Sequence, residues 1–118
     1  PQAVQEMSMQ ALLDDQKCVQ TNIDIYQARR DRVITALTRM GLEVAVPKAS
    51  LYIWAPIPDG FTSADFAARL LADNDIVVTP GSSYGKCGEG YIRLSLTTPD
   101  EQVEKGCVRL ENWEIPAP

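Results

Sequence analysis

The first third of the chain carries two stretches of helical hydrophobic periodicity. Residues 2–16 have apolar side chains roughly on one side and predict a helix. A cleaner stripe follows, with members three and four residues apart: Ile23, Tyr26, Arg30, Val33, Leu37 and Met40. This spacing predicts an amphipathic helix, and Gly41, directly after the stripe, predicts a left-handed cap at its C-terminus.

Shorter apolar runs in the rest of the chain predict four strands, at residues 42–46, 51–57, 76–79 and 91–96. The second run is apolar on both faces, with Tyr52 and Trp54 on one of them. A strand of this kind is typical of a central position in a sheet or of an interface. We therefore expect the Tyr52/Trp54 face to contact either a second layer of this domain or a partner outside the chain. In the last run, Ile92 and Leu94 alternate with polar residues such as Arg93.

Two further helices complete the predicted order. Ser63 is expected to cap a helix that contains Phe66 and Leu70, and residues 98–101 predict a capping box with proline at the first helical position. The order α, α, β, β, α, β, β, α lacks a regular βαβ alternation. It predicts an α+β fold, a two-layer domain in which a short mixed or antiparallel sheet packs against helices. The 118 residues, 45% of them hydrophobic, suffice for one domain and not for two.

The charge balance disfavours two classes of partner. Eleven Lys and Arg against sixteen Asp and Glu give a net charge of −5, which repels nucleic acid. The densest cationic spot, Arg29, Arg30 and Arg32, is interpreted as a solvated helix face. The longest uncharged stretch, residues 49–57, is far shorter than the roughly 20 residues of a membrane-spanning helix. We expect neither a nucleic acid nor a membrane as a partner.

Histidine and cysteine narrow the chemistry further. The chain has no histidine, which excludes Ser–His and Cys–His pairs and histidine metal sites. Cys18, Cys87 and Cys107 are widely spaced, which fits neither a disulfide framework nor a zinc site and favours a reducing cytoplasm. No signal peptide is visible, and a start at Pro1 without methionine suggests a piece of a longer protein.

A glycine-rich loop at residues 80–90 is the most function-like feature. As a Walker A loop it is one residue short, and Cys87 stands where a magnesium-binding Ser or Thr is required. A strand follows it, so a phosphate would meet no helix N-terminus. Composition favours a mobile connecting loop with glycines at positive φ over a phosphate cradle. Cys87 could be a reactive thiol, but with no histidine nearby an incidental cysteine is favoured.

Arg93 is the second candidate. An arginine held on a strand presents a planar fork suited to a carboxylate, although the alternation alone favours an ordinary surface arginine. The amines that could form a Schiff base are Lys17, Lys48, Lys86 and Lys105, and no apolar pocket is evident for them. The residues alone thus describe an acidic α+β domain with one anion-recognising arginine and no complete catalytic set.

Five sequence motifs occur in a characteristic order. They are Y-Q-A-R-R-D-R at 26–32, L-T-R-M-G-L at 37–42, P-K-A-S-L-Y-I-W-A-P-I-P at 47–58, V-V-T-P-G-S-S-Y-G at 77–85 and G-E-G-Y-I-R-L-S-L at 88–96. In this order they resemble the C-terminal part of class I/II aminotransferases, the pyridoxal-phosphate enzymes of fold type I. The branch of aspartate and LL-diaminopimelate aminotransferases is the most similar.

The resemblance implies roles for particular residues. Arg93 falls on the family arginine that clamps the substrate α-carboxylate, and the turn at Ala49, Ser50 and Leu51 maps loosely onto one that approaches the substrate pocket. The Schiff-base lysine, the aspartate paired with the pyridine nitrogen and the phosphate-binding residues of the family lie upstream, in a large domain. The resemblance therefore implies that this chain has no catalytic, cofactor-binding or metal-binding residue of its own.

The chain is accordingly expected to be the small domain of an aminotransferase acting in amino acid metabolism. Residues 1–21 would be a connecting helix from the missing large domain, and residues 22–118 the small domain. Its partners would be that large domain, an amino acid or 2-oxo acid substrate and a second copy in a homodimer. Pyridoxal phosphate would be bound by the full-length parent only, and the isolated chain would be inactive. Two alternatives are a stand-alone module that binds a small carboxylate and a protein-interaction domain that uses the Tyr52/Trp54 face.

Overall fold

Four helices, three short strands and two 3-10 turns make up the computed structural model, which describes all 118 residues. In chain order they are α1 (Gln2–Leu13), α2 (Lys17–Arg39), β1 (Tyr52–Pro56), α3 (Ser63–Asn74), β2 (Thr79–Pro80), the turns Gly81–Tyr84 and Lys86–Gly88, β3 (Tyr91–Ser95) and α4 (Asp100–Glu111). The α+β prediction is confirmed.

The sheet has the order β1-β3-β2, and both pairings are antiparallel. The predicted strand at residues 42–46 is wrong, and the predicted strand at residues 76–79 is wrong except at its last residue. Residues 42–46 join no ladder, because the N–H of Leu42 donates to the carbonyl of Leu37 and continues the end of α2. Of residues 76–79 only Thr79 reaches the sheet, because the N–H of Ile76 is taken by Leu70 in the end of α3.

The core lies between one face of the sheet and the helices. Its buried members alternate along the two longer strands, as the sequence pattern predicts, with Ile53 and Ala55 on β1 and Ile92 and Leu94 on β3. Helical residues cover them, namely Val33, Ala36, Leu37, Phe66, Leu70, Cys107 and Leu110. The opposite face of the sheet therefore carries Tyr52, Trp54 and Arg93.

Helix ends follow the predictions only in part. Gly41 has φ of 93° and follows α2 as predicted. Thr62, and not Ser63, is the N-cap of α3, because its hydroxyl accepts from the N–H of Asp65 at 3.2 Å. The capping box of α4 is wrong as well: the helix begins at Asp100 without a side-chain cap, and the Glu101 carboxylate accepts from Lys105 at 2.7 Å instead of from the helix start.

The arginine cluster of α2 is not a solvated face, which corrects the sequence interpretation. Arg32 pairs with Glu104 and Glu111 of α4, each at 2.7 Å. Arg29 donates to the carbonyl of Leu96 at 2.9 Å and pairs with Asp100. Arg29 and Arg32 thus connect α2 to α4, whereas Arg30 pairs with Asp31 and donates to the carbonyl of Pro47 at 3.2 Å.

The N-terminal end of the molecule extends away from this core. No residue of α1 is buried, and the chain measures 56 × 30 × 23 Å. Several large apolar side chains of this end are exposed: Val4, Met7, Met9, Leu12, Leu13, Val19, Ile23 and Ile25. They leave an apolar surface, the N-terminal apolar surface, that this chain does not cover.

Candidate functional site

Arg93 lies in the middle of the central strand and pairs in register with Trp54 of β1. Its side chain leaves the sheet on the face opposite the core. The guanidinium carbon lies 4.1 Å from the centre of the Tyr52 ring and 4.6 Å from that of Tyr84. Two aromatic rings, one from β1 and one from the glycine-rich loop, thus hold the cation through cation–π contacts.

The guanidinium of Arg93 has no anionic partner in the chain. Every other arginine forms an ion pair with a carboxylate: Arg29, Arg30, Arg32, Arg39, Arg69 and Arg109. Arg93 forms none, and its guanidinium donates no hydrogen bond to protein atoms, although the residue is only half-exposed. An arginine fixed by rings with its donors unused is arranged to receive an anion from outside, and its fork geometry suits a carboxylate.

Trp54 and Tyr91 extend the aromatic cluster that Tyr52 and Tyr84 form beside Arg93. Trp54 makes edge contacts with Tyr84, at 5.4 Å between ring centres, and with Tyr91 at 6.4 Å. The Tyr52/Trp54 face thus contacts Arg93, the loop and β3 within the chain. Trp54, Tyr84 and Tyr91 each keep 40–48% of their surface exposed. Contact of this face with a partner outside the chain stays a prediction.

The glycine-rich loop is closed at its base by a backbone contact. A Cβ atom on Gly81 would overlap the carbonyl oxygen of Gly88, and a Cβ on Gly88 would overlap that of Gly81. The expected positive φ is found at Gly85 (108°) and Gly90 (88°). Glycine therefore serves two purposes here, a left-handed backbone at two positions and close approach at the other two.

Glu89 joins this loop to α3, and the sequence reasoning missed it. One carboxylate oxygen accepts from the backbone N–H of Ser63 at 2.7 Å, and the other accepts from the Ser63 hydroxyl at 2.9 Å. These hydrogen bonds favour the ionised form and lower the pKa of Glu89. The sequence shows Glu89 as a single acidic residue between two glycines. Its neighbours in the chain do not indicate that its partner is Ser63, 26 positions upstream.

The turn at Ala49, Ser50 and Leu51 lies at the start of β1, away from the loop. Ser50 has φ of 77°, a left-handed conformation that is unusual for serine. The turn and α2 line a groove that includes Tyr26 and Arg30 but not Arg93. The structure does not bring this turn and Arg93 into one cavity, so a substrate-binding role of the turn stays a prediction.

Comparisons with known proteins show the family and the fold of this chain. The family model described as "Aminotransferase class I and II" matches residues 1–110. The chain belongs to this family. The LL-diaminopimelate aminotransferase of Dehalococcoides mccartyi is 56% identical over 117 residues, which cover 99% of this chain and 30% of that protein. The chain thus spans less than a third of the length of this curated relative.

Solved aminotransferase structures show the same fold. The aromatic aminotransferase of Pyrococcus horikoshii superimposes with a TM-score of 0.81 at 39% identity, covering 86% of this chain and 28% of that one. The L,L-diaminopimelate aminotransferase of Chlamydomonas reinhardtii gives 0.76 at 33%, covering 86% and 25%. Both matches support the prediction that this aminotransferase segment has a small-domain fold.

The family depends on pyridoxal phosphate, and the amines of this aminotransferase segment do not fit a cofactor site. All four lysines of the chain are exposed. Lys17 pairs with Asp15 and Lys105 with Glu101, each at 2.6–2.7 Å on the surface. A Schiff-base lysine requires a desolvated pocket, and an exposed lysine lacks one.

No group of three or more His, Cys, Asp or Glu side chains lies close enough together to hold a metal ion. None of the helices combines the length and the apolar character that crossing a bilayer requires.

Proposed function

We propose that this chain is the substrate-binding domain of an aminotransferase that moves an amino group between an amino acid and a 2-oxo acid. In this proposal Arg93 binds the substrate α-carboxylate. The observation that carries it is the guanidinium of Arg93, which lies against Tyr52 and Tyr84 and has no carboxylate partner.

The contribution of Arg93 is one of binding and orientation. Two parallel N–H donors of a guanidinium match the two oxygens of a carboxylate, and such a bidentate pair fixes the direction of the bound group as well as its place. Because Arg93 lies on the central strand of the sheet, the carboxylate would be held on a rigid element. Orientation of this kind raises the rate by limiting the bound substrate to reactive geometries.

The second part of the proposal concerns the rest of the polypeptide. We propose that a larger N-terminal domain covers the N-terminal apolar surface, with residues 1–21 as the connecting segment and residues 22–118 as the small domain. Exposed apolar patches of this kind mark interfaces, and the curated relative is more than three times as long as this chain. That domain would hold pyridoxal phosphate, which withdraws electrons from the substrate amino acid when bound.

Substrate, assembly and location complete the proposal. LL-diaminopimelate is the first amino donor to test, because two of the three relatives described above are named for that activity. A homodimer is proposed for the full-length protein, and light scattering tests this by measuring the molar mass in solution. A cytoplasmic location is proposed because all three cysteines are free.

The test uses the full-length protein, assayed for transfer from LL-diaminopimelate to a 2-oxo acid. Arg93→Lys keeps the charge but loses the fork, so KM should rise and kcat/KM should fall by about 10- to 100-fold, the size of a charge-assisted pair. Cofactor binding, followed by its absorbance, should be unchanged. Arg69→Lys is the matched control, because Arg69 is exposed and its contact with Asp73 is long, at 3.8 Å.

Two results would contradict the proposal. Unchanged kinetics in Arg93→Lys would remove Arg93 from the substrate site. A cofactor absorbance band or transaminase activity in the purified 118-residue chain would show that the cofactor is not held elsewhere.

A further inference from the structure

We infer that Glu89 is a positioning residue for Arg93: by binding Ser63 it holds the glycine-rich loop closed, so that the Tyr84 ring stays against the guanidinium. This inference rests on the proposed function of Arg93 as the carboxylate-binding group. It assigns a role in substrate binding to a residue that does not itself contact the substrate.

The first step is the attachment of both ends of the loop to one serine. Ser63 is fully buried at the first turn of α3. From the leaving end of the loop, Glu89 accepts from its N–H and its hydroxyl. From the entering end, the N–H of Ser82 donates to the Ser63 hydroxyl oxygen at 3.3 Å, and the two serine hydroxyls lie 3.0 Å apart. Ser63 is thus the shared anchor of the loop.

The second step is that the Glu89 carboxylate has no cationic partner to explain its position. Its carboxylate forms no ion pair with any lysine or arginine, and the residue is exposed. Both of its oxygens are instead directed at α3, where the unpaired N–H groups of a helix start favour an anion. The carboxylate therefore contributes the closure of the loop and little else.

The third step leads from the anchor to the guanidinium. The 3-10 turn Gly81–Tyr84 begins at the Gly81–Gly88 contact and carries Ser82 to Ser63. Tyr84 ends the same turn, only two residues after Ser82, and its ring lies against Arg93 and against the edge of Trp54. Release of the loop from Ser63 would therefore move the Tyr84 ring, and Arg93 would keep only its contact with Tyr52.

The consequence for binding is one of preorganisation. A free arginine side chain samples many rotamers, and ordering it on ligand binding costs free energy. Contacts with the rings of Tyr52 and Tyr84 order the Arg93 side chain before the substrate binds, so less free energy is lost on binding. Loss of the loop anchor should thus weaken carboxylate binding while the reacting groups, which lie elsewhere, keep their rate.

The test separates KM from kcat in the full-length protein. Glu89→Ala should raise KM by about tenfold and leave kcat within about twofold, because only preorganisation is lost. Tyr84→Ala, which alters an exposed ring, should give the same split. Glu89→Gln should restore KM to within about threefold, because its amide can accept from the Ser63 N–H and donate to the hydroxyl. Glu43→Ala, an exposed carboxylate without a polar contact, is the control.

A second measurement does not require activity. Phenylglyoxal modifies accessible arginines, and mass spectrometry gives the rate at Arg93. Glu89→Ala and Tyr84→Ala should both speed the modification of Arg93 and leave that of Arg69 unchanged.

The outcomes separate this inference from the proposed function. If Arg93→Lys raises KM but Glu89→Ala and Tyr84→Ala do not, the positioning role is overturned and the proposed function stands. If Arg93→Lys has no effect, the proposed function fails. Unchanged modification of Arg93 in the Glu89 and Tyr84 variants overturns the positioning role in either case. A loss of kcat and of cofactor in Glu89→Ala with normal KM in Tyr84→Ala also overturns it, because that result marks general destabilisation.

Discussion

Gly81 and Gly88 touch through their backbones, so that a Cβ atom on either residue would overlap the carbonyl oxygen of the other. This contact closes the base of the loop that carries Tyr84 to Arg93. Neither glycine has the positive φ that usually explains a glycine in a loop, so their lack of a side chain is what the fold requires at these positions.

Substitution of either glycine tests this contact. Gly81→Ala or Gly88→Ala should lower the free energy of unfolding by about 1–3 kcal/mol, because backbone atoms on the other side cannot move away as a flexible side chain could. Chemical denaturation of the chain measures the change. Gly106→Ala on α4 is the control: its nearest contact would be Ile76 at 3.9 Å, and it should raise stability by up to about 1 kcal/mol through helix propensity. Equal effects of the three substitutions would contradict the close approach.

The ion pairs between α2 and α4 predict a dependence of stability on pH. Hydrogen bonds from Arg32 lower the pKa of Glu104 and of Glu111 below the ordinary glutamate value. Each of these glutamates has a lower pKa in the folded chain than in the unfolded chain. Such a group stabilises the folded state at pH values above its unfolded-state pKa. This stabilisation is lost as the pH falls through its folded-state pKa. The Tm should therefore decline from pH 6 towards pH 3.

The matched variant Arg32→Met separates the contribution of the Arg32 ion pairs from that of other acidic groups. Arg32→Met keeps much of the stem but removes the donors, so the Tm at pH 7 should fall and its decline towards pH 3 should become shallower. Part of the decline should persist, because the pKa of Glu89 is lowered independently by Ser63. An unchanged profile in Arg32→Met would show that these pairs do not contribute to folding.

The three cysteines should differ in reactivity. Cys107 is buried in the core, and burial raises the pKa of its thiol, whereas Cys18 and Cys87 are exposed. Because the thiolate is the reactive form, iodoacetamide at pH 8 should label Cys18 and Cys87 in the native chain and leave Cys107 unmodified. Mass spectrometry of the labelled peptides checks this, and denaturant should expose the third thiol. Labelling of all three at one rate would contradict the burial of Cys107.

The N-terminal apolar surface should make the isolated chain associate. Met7, Leu12 and Leu13 keep 73–79% of their surface exposed, and no residue of α1 is buried. Their replacement by glutamine should reduce self-association in sedimentation experiments without lowering the Tm, since nothing buried is lost. Val77→Gln, at an exposed valine far along the chain, should leave association unchanged. Association that persists in the triple variant would place the contact on another surface.

The helices and the alternation of the two longer strands were predictable from the sequence because they depend on neighbours in the chain. The stripe from Ile23 to Met40 has the helical period, and Ile92 and Leu94 have the period of a strand with one buried face. The end of α2 at Gly41 was predictable for the same reason, since the left-handed residue that follows a helix is most often glycine. The five ordered motifs indicated the aminotransferase family, and Arg93 was singled out as its carboxylate-binding residue.

What only the tertiary structure decided depends on residues far apart in the chain. Residues 42–46 have strand-like composition but no strand beside them to pair with. Arg32 looked solvated until α4 placed Glu104 and Glu111 beside it, 72 and 79 positions away. The rings of Tyr52 and Tyr84 both contact the Arg93 guanidinium only because the antiparallel sheet and the loop place them beside it. Glu89 binds Ser63 for the same reason. Periodicity encodes which face of an element is buried, whereas the partner of a polar side chain is set by how the elements pack.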